Sequence, residues 1–259
     1  MQLALLQGEI AGLIQSPSAQ FWLWIAAGGF ILATVWFIYL SVTGDSEHQH
    51  HYIASTVIVL WAGVWYVVMA TGGGITLVDG PGGEPVIFYY ARYIDWTLTT
   101  PLLLLGLLWV AGNGSLSRLR QTAFYIVIAD VLMILTGVVA GATGGFISGL
   151  FFVISTLFFL LVLYLLWGPV RAEASEGETE GGFGLFYNLA VMLTVLWVLY
   201  PVVWLIGTEG AGLATEGTEV FFFAVLDVLA KIAFGAILLG GVRGASAGQG
   251  ASRRSARVS

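Results

Sequence analysis

The chain has no cysteine, a single lysine, and neither lysine nor arginine before Arg92. The first absence excludes disulfides, thiolate metal sites and cysteine nucleophiles. The second leaves Lys231 as the one side-chain amine. The third removes the basic n-region of a secretory signal, so no cleaved signal peptide is expected. Charge of either sign is scarce: Asp, Glu, Lys and Arg make up 9% of 259 residues, against about 25% in a soluble domain. So small a set cannot cover a surface that faces water. The net charge of −6, with no clustered basic face, excludes nucleic acid as a partner.

What the chain does have is hydrocarbon. Hydrophobic residues make up 58% and mean hydropathy is +0.92. They come in blocks such as 21–42 and 146–167, each near the roughly 20 residues that cross a bilayer core. Polar and Gly-rich breaks separate seven candidate helices at about 20–42, 50–71, 86–110, 119–140, 146–169, 183–207 and 217–241. Strands of a transmembrane barrel would be shorter and alternate in polarity. The expected fold is all-α, a seven-transmembrane-helix bundle. Arg118, Arg120, Arg171, Arg243, Arg253, Arg254 and Arg257 all fall in segments on one side of such a bundle. The positive-inside rule makes that side cytoplasmic and the N-terminus extracellular. Residues 1–16 read as a short extracellular segment, 17–243 as the membrane domain, and 244–259 as a disordered cytoplasmic tail.

Ionisable groups at bilayer depth are costly, and each is a functional candidate. They are Arg92, Asp95, Asp130, Asp227 and Lys231, with Glu209 and Glu219 at the outer ends of the last two helices. Asp227 and Lys231 are spaced i, i+4, and Arg92 and Asp95 i, i+3, so each pair shares a helix face. Two salt bridges that merely hold helices together would show the same spacing, although buried ion pairs are poor stabilisers. Asp130 stands alone and reads as an interhelical hydrogen bond to a hydroxyl such as Thr100. A lone lysine opposite carboxylates, among aromatics, suggests an imine to a carbonyl cofactor. Trp197, Tyr200 and Trp204 share one face of the sixth helix, a pattern that core packing alone would also produce.

The runs ARYIDWTLTTPLLLL (Ala91 to Leu105), WVLYPVVWLIGTEGAG (Trp197 to Gly212) and LDVLAKIAFGAILL (Leu226 to Leu239) closely resemble the microbial (type 1) rhodopsin family, bacteriorhodopsin in particular. The resemblance spans all seven helices. It implies all-trans retinal bound as a protonated Schiff base to Lys231, with Asp95 and Asp227 as counterions and Asp95 as proton acceptor. It implies further that Thr99 hydrogen-bonds Asp95 and that Arg92, Glu209 and Glu219 form the outward half of a proton path, with Tyr93 nearby. Trp96, Trp197, Tyr200, Trp204, Met133, Ser155 and Tyr66 match pocket positions. Phe152 stands where bacteriorhodopsin has Trp, so the ring end of the pocket is expected to differ. Leu103 and Ala230 match the family's longer-wavelength forms and imply a green absorber.

By the same resemblance the protein is a transporter or photoreceptor rather than an enzyme, in the plasma membrane of a prokaryote, with lipid, retinal and protons as partners and a homotrimer as one possible assembly. The family's ion code here is Asp95, Thr99 and Gly106, which matches neither its chloride pumps nor its sodium pumps. An outward proton pump without a carboxyl donor at Gly106 is the favoured reading. A photosensory rhodopsin signalling through a transducer remains the alternative, because sensory relatives also lack that donor. His48, His50 and His51 cluster at the start of the second helix. A solvated polar loop is the plain reading, no metal site is expected, and proton collection is the alternative.

Overall fold

The structure is a computed structural model that describes residues 15–44, 46, 48–176 and 180–255, apart from the side chains at 180, 181 and 245–255. Among the described residues, seven helices are long and apolar enough to cross a membrane. Helix α1 (Pro17–Thr43) begins where the Ser16 hydroxyl accepts from the Ala19 amide and proline occupies the first turn, two features that favour a helix start. Helix α2 (Gln49–Ala70) is followed by a hairpin of β1 (Thr76–Asp79) and β2 (Pro85–Phe88). Then come α3 (Tyr90–Ala111), α4 (Arg120–Ala142) and α5, which runs over Gly145–Leu165 and through a π turn at Leu166–Val170 into Arg171–Glu176. Helix α6 is Glu180–Ile206, and α7 runs over Glu216–Asp227 and a π turn at Val228–Ala233 into Phe234–Ser255.

The outer surface of the bundle is apolar, and its charged groups at membrane depth are enclosed within a largely apolar core. Leu32, Val35, Tyr39, Leu157 and Leu160 are exposed, whereas Arg92, Asp95, Asp130, Asp227 and Lys231 are buried. That inversion suits a hydrocarbon solvent, in which a charge is stable only where other protein groups surround it. Helix α3 is the most enclosed span and carries Arg92, Asp95, Thr99 and Gly106 through the centre. Pro101 in α3 and Pro201 in α6 each remove an amide donor from their helix. The π turn in α5 contains Pro169, and the one in α7 contains Lys231. Such turns break the regular ladder and occur often at functional positions.

Two elements depart from the sequence reading. The third helix starts at Tyr90 rather than near 86, because Pro85–Phe88 pairs antiparallel with Thr76–Asp79. Leu77 faces Ile87 and Val78 faces Val86, while Gly82, at φ 80, takes the left-handed conformation of the turn. The last helix continues to Ser255, well past Gly244, where the composition suggests a disordered tail. Residues 1–14 of the expected extracellular segment and the final 256–259 lie outside the described residues.

Candidate functional site: a buried lysine between two carboxylates

Lys231 sits in the π turn of α7 at the middle of the bundle. Its Nζ lies 2.5 Å from Asp95 Oδ2 on α3 and 2.9 Å from Asp227 Oδ1 on its own helix. All three side chains are buried. One cation thus stands between two anions, as the spacing suggests, but the i, i+3 pair does not close: Arg92 pairs with Glu219 on α7 at 3.5 Å instead of with Asp95. The two carboxylates are unlike in surroundings. Asp227 accepts from the Tyr66 hydroxyl (2.8 Å), the Tyr200 hydroxyl (2.7 Å) and Trp96 Nε1 (3.1 Å). Asp95 Oδ1 is buried with no protein partner. Thr99 donates to the main-chain carbonyl of Asp95 at 2.9 Å and lies beside its carboxylate. Asp227 is therefore saturated with donors, and Asp95 has an oxygen free to take a proton.

Beside the Lys231 amine opens a cavity between α3, α4, α5, α6 and α7. Trp96, Leu103, Met133, Trp197, Tyr200 and Trp204 line it, together with Ser155 and Phe152. Phe152 stacks on Trp204 with ring centres 4.8 Å apart and planes 15° from parallel. Ser155 donates to the Met133 carbonyl at 2.8 Å, which joins α5 to α4 beside the cavity. The aromatic face of α6 thus lines a cavity as well as packing the core. A long apolar molecule with one carbonyl end fits this arrangement: hydrocarbon walls, and at one end an amine flanked by carboxylates.

Residues 17–244 match the family described as bacteriorhodopsin-like protein. The bacteriorhodopsin-II-like protein of Haloquadratum walsbyi is 39% identical over 225 residues, covering 84% of this chain and 88% of that protein. Among solved structures, the thermophilic rhodopsin of Rubrobacter xylanophilus aligns with a TM-score of 0.81 at 43% identity, over 88% of this chain and 96% of that one. The light-driven proton pump rhodopsin of Coccomyxa subellipsoidea aligns at 0.79 and 31% identity, over 87% and 97%. The chain belongs to the bacteriorhodopsin-like family. It is a microbial, type 1 rhodopsin and a multi-pass membrane protein.

On the hairpin side of Lys231 this rhodopsin carries a second buried polar cluster. Arg92 lies over the Phe223 ring, 4.2 Å from its centre, and pairs with Glu219. The amide and hydroxyl of Thr208 both donate to Glu219 Oε2, at 2.7 and 2.8 Å. Tyr93 donates to Glu209 Oε2 at 3.2 Å. Both glutamates are buried, so neither is the solvated interface residue that a helix end would suggest. Burial first, and the neighbouring Glu219 carboxylate second, push Glu209 up to about 8. Sequence reasoning misses a third member of this end. Tyr89 donates to Glu216, which also accepts from the Ser16 amide at 2.8 Å, while Gln15 donates to the Tyr89 hydroxyl at 3.1 Å. Glu216 three residues before Glu219 is the available signal, and only the fold brings Gln15 and Ser16 to it.

On the arginine-bearing side of Lys231 the surroundings of Gly106 are apolar. A side chain at Gly106 would meet Leu238 at 3.6 Å and Phe234 at 3.9 Å, both apolar. Asp130 accepts from the Thr100 hydroxyl at 2.7 Å, the interhelical bond its isolation suggests. The histidines are not a solvated loop. His51 is 2% exposed, its ring centre 4.2 Å from that of His50, and His50 packs edge-on against Trp109 of α3 at 4.9 Å. Glu47, the carboxylate next to them in sequence, lies outside the described residues.

Proposed function

We propose that this rhodopsin is a light-driven outward proton pump in a prokaryotic plasma membrane, with the arginine-bearing end of the bundle cytoplasmic. All-trans retinal, joined to Lys231 as a protonated Schiff base, would supply light absorption and a double-bond isomerisation that turns the Lys231 nitrogen and its proton. The observation that carries the reading is the asymmetry of the two carboxylates. Asp95 has a free oxygen within reach of Lys231 and is placed to accept the proton. Asp227, fixed by Tyr66, Trp96 and Tyr200, is placed to remain the counter-charge. Once Asp95 is neutral, Arg92 loses an anion on its lysine side and is drawn toward Glu219 and Glu209. Its charge then favours loss of the proton that Glu209 holds up to about pH 8, and that proton leaves at the hairpin end. The Trp and Leu walls keep water from the polyene.

Cells or vesicles carrying the pigment should acidify a lightly buffered medium in light, and a protonophore should abolish the change. A purely photosensory protein would give no sustained acidification, and that result would overturn the reading.

Return of a proton to Lys231 is the slow half. Gly106 has no proton to supply, and neither have the apolar side chains of Phe234 and Leu238 that face it. The rate of reprotonation should therefore fall as pH rises, and azide should speed it. Gly106→Asp places a carboxyl group there and should flatten the pH dependence, read as the decay of the deprotonated state by flash photolysis. A fast decay independent of pH in the unmodified protein would count against the proposal.

A further inference from the structure

We infer that Glu216 is a positioning residue for proton release at the hairpin end, acting on Arg92 through the ring of Tyr89. The inference rests on the pump reading and adds to it a residue outside the Arg92, Glu209 and Glu219 cluster. Polar groups hold Arg92 only loosely. Its ion pair with Glu219 is long, at 3.5 Å, and its Nε is buried with no protein partner. Two aromatic faces complete the setting: the guanidinium carbon lies 4.2 Å from the centre of the Phe223 ring and 5.1 Å from that of Tyr89. Where the guanidinium rests therefore depends on where those two rings stand.

Phe223 is set by packing, with the Trp96 and Tyr200 rings 5.5 and 5.9 Å away. Tyr89 is set by its hydroxyl. That hydroxyl donates to Glu216 Oε1 and accepts from Gln15 Nε2 at 3.1 Å, and Gln15 also donates to the Met69 carbonyl at 3.0 Å. The second Glu216 oxygen accepts from the Ser16 amide at 2.8 Å. Both oxygens of Glu216 are thus acceptors for donors from different segments. A carboxylate meets that demand, whereas an amide would turn a donor toward one of them. Gly217 lets the starts of α1 and α7 come this close, because an added Cβ there would collide with the Ser18 hydroxyl. Glu216 also has a plainer role, since an acid in the first turn of a helix is favourable. That role needs no contact with Tyr89 and would survive Tyr89→Phe.

In the proposed cycle the guanidinium shifts toward Glu219 and Glu209 once Asp95 is neutral. A Tyr89 ring tied to Glu216 keeps one wall against Arg92 through that shift and holds the charge within reach of Glu209. With the tie cut the ring can swing away, and the charge is placed less well. The groups that set the proton affinity at this end come from every element around it. Glu209 is faced by Arg92 and Tyr93 of α3, Glu219 of α7 and Trp204 of α6, with Asp79 of β1 on the same cleft. Arg92 is faced in addition by Tyr66 of α2. Glu9 lies outside the described residues.

The test compares Glu216→Gln, Glu216→Asp and Tyr89→Phe, the last of which keeps the ring and cuts its tie. In the retinal-free protein with ¹⁵N-labelled arginine, the Arg92 Nε–H signal is identified by its loss in Arg92→Gln. It should exchange with water about tenfold faster in Glu216→Gln and in Tyr89→Phe, the factor that one hydrogen bond to a charged group carries. In the pigment, a pH-sensitive dye should show release of the proton slowed about tenfold in both variants, while the deprotonated state forms at its usual rate. The pH at which half of the pigment releases promptly should rise by about one pH unit, because a less well placed Arg92 leaves Glu209 holding its proton longer. Glu216→Asp keeps the charge and should lie nearer the unmodified protein than Glu216→Gln does. Unaltered release in both variants, a delay in one of them alone, an unmoved Arg92 signal, or a delay accompanied by slower formation of the deprotonated state would overturn the inference. Pumping with an indifferent Glu216 defeats this inference alone, whereas absence of pumping in the unmodified protein defeats the reading beneath it.

Discussion

Lys231→Ala should abolish the visible pigment altogether. No second lysine exists in the chain, so no other side-chain amine can form the linkage. Lys231 also lines the aromatic cavity, and no other lining residue carries an amine. The substitution should cost stability as well, because Asp95 and Asp227 would be left buried around a missing cation. Breaking a buried ion pair by removing one partner costs about 3–5 kcal/mol. Protein purified with added retinal should be colourless, and its unfolding temperature should be lower than that of the unmodified apoprotein. A visible, hydroxylamine-sensitive absorption band in Lys231→Ala would refute the assignment.

Asp95→Asn should redden the pigment and stop transport. On the proposed reading, the carboxylate of Asp95 would stabilise the positive charge of a protonated Schiff base at Lys231 in the ground state more than in the excited state, whose charge would lie further along the polyene. Removing it narrows the gap and shifts absorption to longer wavelength. The same substitution removes the proposed acceptor, and Asp227 is not expected to replace it while Tyr66, Tyr200 and Trp96 occupy its lone pairs. Formation of the deprotonated state should slow about 10²-fold or more. Absorption spectra and flash photolysis of one sample read both effects. Unchanged colour with undiminished acidification in light would show that Asp227 or another group accepts the proton.

The two substitutions differ in what made them visible. Lys231 is the one lysine in the sequence and lies four residues after an aspartate in an apolar run, so composition and spacing alone single it out. The difference in surroundings between Asp95 and Asp227 is not visible there. Both are aspartates in hydrophobic helices, and only packing shows that three donors from α2, α3 and α6 converge on Asp227 and leave Asp95 an oxygen. The same holds at the hairpin end. Arg92 and Asp95 are neighbours by helical spacing, yet Arg92 turns to Glu219, 127 positions away in sequence. Long polar side chains choose partners across the bundle, and no local periodicity encodes that choice.

By itself the sequence determined the class of solvent, the number of spans and the residues with chemistry. These follow from composition and from the length of apolar runs, because a bilayer admits no unpaired backbone and few charges. It also carried the likeness to the rhodopsins and the missing donor at Gly106. Tertiary structure alone decided the rest: the hairpin over 76–88, the burial of Glu209 and Glu219, the bridge from Gln15 and Ser16 to Glu216, and the enclosure of His51 against Trp109. The hairpin pairs neighbouring strands that helical periodicity does not announce. The other three depend on contacts between segments set apart in the chain, and burial is a property of the assembled bundle that a local stretch of sequence cannot state.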